Sequence, residues 1–275
     1  FSAFQNVTHS KIGFGKSVDL FFKQWGNYSK ISTQVDGLDN LKNQKRLRLF
    51  IPTHRDANLD AVAFAALNVD NPVVFGALNL KNHPIFGLKD NPLVKPMIHS
   101  LERNDSFILA GAAEKPIDKF IRLIHENKAK NVLIYPEGQV SLGLKESRPV
   151  RENFSKALIS RLLEEKIDFE LVPVSYINGA QFFEYHNEFD YIKTEESKLK
   201  INVHKPITAN EIAIFLKQHD SSLLNTYLRF NWLFNLDTND ELLLGQGRWN
   251  TIKNSFHQKL TNELPDCKSL IKSFL

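Results

Sequence analysis

The sequence predicts an α/β fold: a mostly parallel or mixed central sheet with helices on both faces, followed by a helical C-terminal extension. Two patterns carry that expectation. From about residue 45 to 205, short apolar runs alternate with segments of helical period. From about residue 209 onward the pattern is mostly helical, as in "ANEIAIFLKQH", "SSLLNTYLRFNWLF" and "RWNTIKNSFHQKL".

The elements follow in order. "GKSVDLFFKQWGNY" puts Val18, Phe21, Phe22 and Trp25 at helical spacing, an amphipathic face near the N-terminus. "KISTQV" reads as a strand and "DGLDN" after it as a turn. "LRLFI" is a buried strand running into "PTHRDANLDAV", residues 52–62, and "LDAVAFAALN" is a short alanine-rich helix. "PVVFGA" and "SFILAG" are strands, separated by the proline-broken loop "NHPIFGLKDNPLVKP". "KPIDKFIRLIHEN" is a helix with Ile117, Phe120, Ile121 and Ile124 on one face. "NVLIY" is a strand ending at the turn "PEG". "NFSKALISRLLEE" is a helix, "FELVPVSYI" a strand, and "KLKINVH" an alternating strand before "KPIT". Three regions result: an N-terminal amphipathic helical segment (1–33), the α/β domain (34–208) and the helical extension (209–275).

Composition narrows the chemistry. Of 275 residues only Cys267 is a cysteine, which excludes a disulfide framework, a cysteine-based zinc site and an iron–sulfur cluster within one chain. The formal net charge is +4 and the pI about 9.0, which suits anionic partners in general and selects none. No zinc-finger spacing, RNP-like sequence or sustained basic helix occurs, so nucleic acid is not an expected partner. No apolar run approaches the ~20 residues that a spanning helix needs. The chain starts at Phe1 and holds one methionine, Met97, so its natural N-terminus is expected to lie upstream.

Two motifs are decoys. "GFGKS" ends like a phosphate-binding loop, but the position five residues before Gly15 is Ser10 rather than glycine. "HRD" at 54–56 has the form of a kinase catalytic loop, but Ala61 stands where that loop needs asparagine.

The chemistry gathers at two strand ends. "LRLFI" delivers His54 to its C-terminal end, the edge where open α/β sheets bind ligands. Asn58 is suited to cap the next helix, and Asp60 then falls in its first turn, where a carboxylate complements the helix dipole. Two readings stand at this point: a polar helix start, or a base with its orienting acid. The second strand end, "NVLIYPEGQVSLG", carries Glu137 and Gly138 in a tight turn at the same edge.

Together these motifs resemble the glycerolipid acyltransferases. "THRDANLD" is similar to the family's N-H-x-x-x-x-D, "YPEGQVS" to F-P-E-G-T-R-S, and "LVPVSYING" to its V-P-V strand. "VDGLDNL" at 35–41 resembles the V-x-G-x-E-x-L stretch, and "HKPIT" at 204–208 a G-x-P-I ending; the order agrees over about 34–208. The resemblance implies O-acyl transfer from acyl-CoA or acyl carrier protein, as co-substrate, to a hydroxyl of a lysolipid or glycerol-type acceptor. It makes His54 the general base and Asp60 its orienter, and it places Glu137, Gly138 and Gln139 at the acceptor, with Arg103 as a substitute phosphate contact. It implies no cofactor and no metal, and a cytoplasmic protein peripheral to a membrane surface. The helix with Phe21, Phe22 and Trp25, edged by Lys16 and Lys23, suits a bilayer or the domain core equally.

The departures matter as much. Five residues, not four, separate His54 from Asp60, and one residue rotates a helix by about 100°. Asp56 is the other acid within reach. Ala110 and Val140 stand where the family has phosphate-binding arginines, so Lys145, Arg148 or Arg151 take over or the acceptor lacks a phosphate there. These departures keep two alternatives open: a non-catalytic lipid- or acyl-carrier-binding module, and an acyl-thioester hydrolase.

Overall fold

The computed structural model describes residues 31–42, 45–52, 54, 57–70, 72–77, 105, 107–110, 115–136, 138, 154–177, 183–187, 190–193, 197–221, 224, 225 and 228. Residues 1–30 of the amphipathic N-terminal segment, Cys267 and most of the C-terminal extension lie outside them.

The expected α/β fold is present. Its strands are β1 (Ile31–Asp36), β2 (Leu47–Pro52), β3 (Val73–Ala77), β4 (Phe107–Ala110), β5 (Asn131–Leu133), β6 (Phe169–Ile177), β7 (Phe183–Asn187), β8 (Asp190–Lys193), β9 (Ser197–Val203) and β10 (Ile207–Thr208). Seven of them line up as β1-β9-β6-β2-β5-β3-β4, β10 also pairs with β6, and β7 and β8 form a separate antiparallel hairpin. That hairpin is absent from the sequence reading, which finds no strand between 178 and 197. The core of the sheet is parallel: β2 pairs in parallel with both β5 and β6, and β3 with both β4 and β5. β9 is antiparallel to β6, which makes the sheet mixed.

The helices are α1 (Ala57–Ala66), α2 (Pro116–His125), α3 (Ser160–Glu164), entered through a π-helical segment Phe154–Ile159, and α4 (Ala209–Gln218). They cover both faces. Ala63, Phe64 and Leu67 pack with Phe50, Val172, Val174, Tyr176, Leu199 and Ile201 on one face. Phe120, Leu123, Leu158, Leu162, Ile212 and Phe215 pack with Leu49, Ile51 and Leu171 on the other. On α2 the expected Phe120 and Ile121 are buried, joined by Leu123, while Ile117 and Ile124 pack at the margin. α4 has a full capping box: Thr208 Oγ1 accepts from Glu211 N–H, and the Glu211 carboxylate accepts from Thr208 N–H. Leu224 and Leu228, just beyond it, reach the same core.

Two devices hold the β9 side of the sheet. Gly37 follows β1 with φ +79°, and a Cβ there would lie 2.1 Å from the Val203 carbonyl oxygen at the end of β9. Asn40 Nδ2 donates to that same oxygen at 2.9 Å. The "DGLDN" turn is thus docked on β9, and only glycine allows both its backbone and the approach. Between β9 and β10, the His204 N–H donates to the Pro173 carbonyl at 2.9 Å, and His204 Nε2 lies 2.7 Å from the Oγ of fully buried Ser175. Burial lowers the His204 pKa from the ordinary 6.5 to about 4, so the ring is neutral in the folded protein.

Gly37→Ala should cost upwards of about 2 kcal/mol, read as a lower urea midpoint. His204 predicts an acid sensitivity. The unfolded chain takes up the proton first, so the ring's stabilising effect is whole above pH 6.5 and is lost as pH falls toward 4. The loss should be on the order of 2–3 kcal/mol. His204→Gln should therefore flatten the fall in urea stability between pH 6.5 and 4 relative to the wild type; equal slopes would contradict this account.

Candidate active site

The site lies where the chain's connections part. The connection leaving β2 runs to β3 and the one leaving β5 runs to β6, in opposite directions across the sheet. Such a switch point opens a crevice at the C-terminal ends of the two strands. β2 and β5 are neighbours there, with Phe50 paired to Leu133. His54 follows two residues after β2 ends at Pro52, and Tyr135 two residues after β5 ends at Leu133. On the other side of β2, Pro52 pairs with Val174, so Tyr176 lies level with His54 two residues on.

The structure brings His54 and Asp60 together. His54 Nδ1 lies 2.6 Å from Asp60 Oδ2, short enough for a strong charge-assisted hydrogen bond. α1 starts at Ala57, so Asp60 sits in its first turn with its carboxylate turned back to His54. Asn58 then falls inside the first turn, which corrects its expected place as N-cap. The two side chains differ in exposure: 1% of Asp60 reaches solvent and 16% of His54 does. A buried acid behind a partly open imidazole holds the ring at Nδ1.

Two residues that the motif reading passed over complete the surroundings. Tyr135 stacks on the His54 ring, centroids 4.1 Å apart and planes 23° from parallel. Tyr176 is 2% exposed and faces the same core as Val172 and Val174. Burial first, and the Asp60 carboxylate second, push the Tyr176 phenol well above its ordinary 10.0, while the Tyr135 hydroxyl pulls the other way. Tyr176 therefore stays a neutral phenol against the acid. Both residues were visible in outline, since Tyr135 immediately precedes "PEG" and Tyr176 continues the every-other-residue face of "VPVSY".

The "PEG" turn is closed by the Gly138 N–H, which donates to the Tyr135 carbonyl at 2.9 Å, with Gly138 at φ +65°. That amide is therefore engaged within its own turn. Glu137, Gln139, Arg103 and Asp56 lie outside the described residues, as do Lys145, Arg148, Arg151 and Val140, and so do His83 and His99. Ala110 ends β4, an edge strand of the sheet. His125 is a surface residue, 3.8 Å from Glu165. Among the described residues, no three His, Cys, Asp or Glu side chains are grouped to hold a metal ion, and no helix is long and apolar enough to cross a membrane.

The mixed sheet, with β2 and β5 ending side by side, has a counterpart among solved acyltransferase structures. Among solved structures the chain is similar to the 1-acyl-sn-glycerophosphate (LPA) acyltransferase, PlsC, from Thermotoga maritima, with a TM-score of 0.50 over 79% of this chain and 83% of that one. The two are 11% identical, so the likeness is one of fold. No family model and no curated protein matches the sequence.

Proposed function

We propose that the protein is an O-acyltransferase that moves a fatty acyl group from an acyl thioester, carried by coenzyme A or acyl carrier protein, to a hydroxyl of a lysolipid or glycerol-type acceptor. The observation that carries this reading is the 2.6 Å contact between His54 and buried Asp60 at the switch point of a sheet with an acyltransferase fold.

In this scheme His54 Nε2 takes the proton of the acceptor hydroxyl, and the oxygen attacks the thioester carbonyl. The tetrahedral intermediate collapses with loss of the thiolate, which receives the proton back from the imidazolium. Asp60 fixes the tautomer that leaves Nε2 unprotonated and stabilises the cation that forms. Glu137, Gly138, Gln139 and Arg103 are assigned to the acceptor. Such substrates place the protein at a membrane surface, in phospholipid synthesis or a related lipid pathway.

The test is a panel of labelled acyl-CoA and acyl carrier protein, each with lysophospholipids, glycerol 3-phosphate, non-phosphorylated acceptors or none. Acceptor-dependent transfer that His54→Ala abolishes supports the proposal, and the acceptor preference reports what Ala110 and Val140 change. Thioester cleavage without an acceptor points to a hydrolase, and binding without turnover to a non-catalytic lipid or carrier-binding module. Asp60→Asn should lower kcat by about 10²- to 10⁴-fold. Asp56→Asn should change it far less, and the reverse order would assign the orienting role to Asp56.

A further inference from the structure

We propose that Tyr135 is a positioning residue for His54, its ring stacked on the imidazole to fix the plane in which the base meets Asp60. The inference rests on the reading of His54 as the base and adds a second contact that holds it. The Asp60 hydrogen bond holds the imidazole at Nδ1. A flat partner against the ring face narrows the tilt left to its plane, and Tyr135 lies at 4.1 Å and 23°. Asp60 acts at the edge of the ring and Tyr135 acts on its face.

Tyr135 is itself well anchored. The amide of the preceding residue, Ile134, donates to the Phe50 carbonyl of β2 at 3.0 Å. Its own carbonyl accepts from Gly138 at 2.9 Å, and its hydroxyl adjoins buried Tyr176. The residue that stacks on the base therefore also closes the turn expected to border the acceptor. An electron-rich ring face also favours the positive charge that His54 carries while it holds the proton. An aliphatic side chain at 135 would fill the space without fixing the plane or favouring the charge.

The test uses the full chain labelled with ¹⁵N-histidine, and it follows the low-field Nδ1 proton of His54, assigned by its loss in His54→Ala. In the wild type that proton should be narrow and slow to exchange with water. In Tyr135→Leu its exchange should quicken by about tenfold or more, and kcat should fall about 10- to 100-fold with KM little changed. Tyr135→Phe, which keeps the ring, should restore most of both. If the leucine variant does not fold, Tyr135→Met poses the same question. A leucine or methionine variant with the wild-type proton signal and kcat would overturn the proposal, as would a phenylalanine variant that behaves like leucine. Should the wild type transfer no acyl group, the proton signal alone still decides whether Tyr135 holds His54.

Discussion

The structure depends on the parallel pairing of β2 along both of its edges. All six residues from Leu47 to Pro52 are buried, between β5 on one side and β6 on the other. Leu47, Leu49 and Ile51 face one core and Phe50 the other, so a slip of one residue would exchange the two sets. The register is pinned further at the N-terminal end. Arg48 forms a nearly buried ion pair with Glu170, its partner across the ladder, and donates to the Leu41 carbonyl at 2.8 Å. Any other register would leave a buried charge unpaired, at a cost of several kcal/mol. With β2 held in this way, the position of His54 two residues beyond its end is fixed rather than adjustable.

The polar cluster at that end is tolerated because its members satisfy one another. A carboxylate as deeply buried as Asp60 would be unfavourable alone. It sits in the first turn of α1, where the helix dipole favours negative charge, and it accepts a short hydrogen bond from His54. The small side chain of Ala63, buried in the core with Phe50 and Val172, lets α1 lie close to the sheet. The neutral phenol of Tyr176 lies near it without adding charge. The pair forms although five residues separate His54 from Asp60.

On the other side of the sheet, stability rests on close approaches that charge or hydropathy alone would not reveal. Gly37 and Asn40 converge on one carbonyl at the end of β9, and His204 bridges the gap between β9 and β10 back to β6. These contacts close the side of the sheet that backs β6, and β6 in turn borders β2. The motifs "VDGLDNL" and "HKPIT" thus have structural duties here that need no part in catalysis.

By itself the sequence determined the fold class, most of the strands and helices, and His54 and the "PEG" turn as strand-end residues. Those features are local: apolar period, proline and glycine breaks, and polar residues at the ends of apolar runs are written in consecutive residues. The tertiary structure decided what meets across the strands. It paired His54 with Asp60, stacked Tyr135 on the His54 ring and set Tyr176 of β6 level with it. It also engaged the Gly138 amide within its own turn. The β7–β8 hairpin and the Ser175–His204 contact belong to the same class. The physical reason is common to all of them. Strand order and register bring together residues tens of positions apart, and a periodic pattern says which side chains face a core but not which strand ends become neighbours.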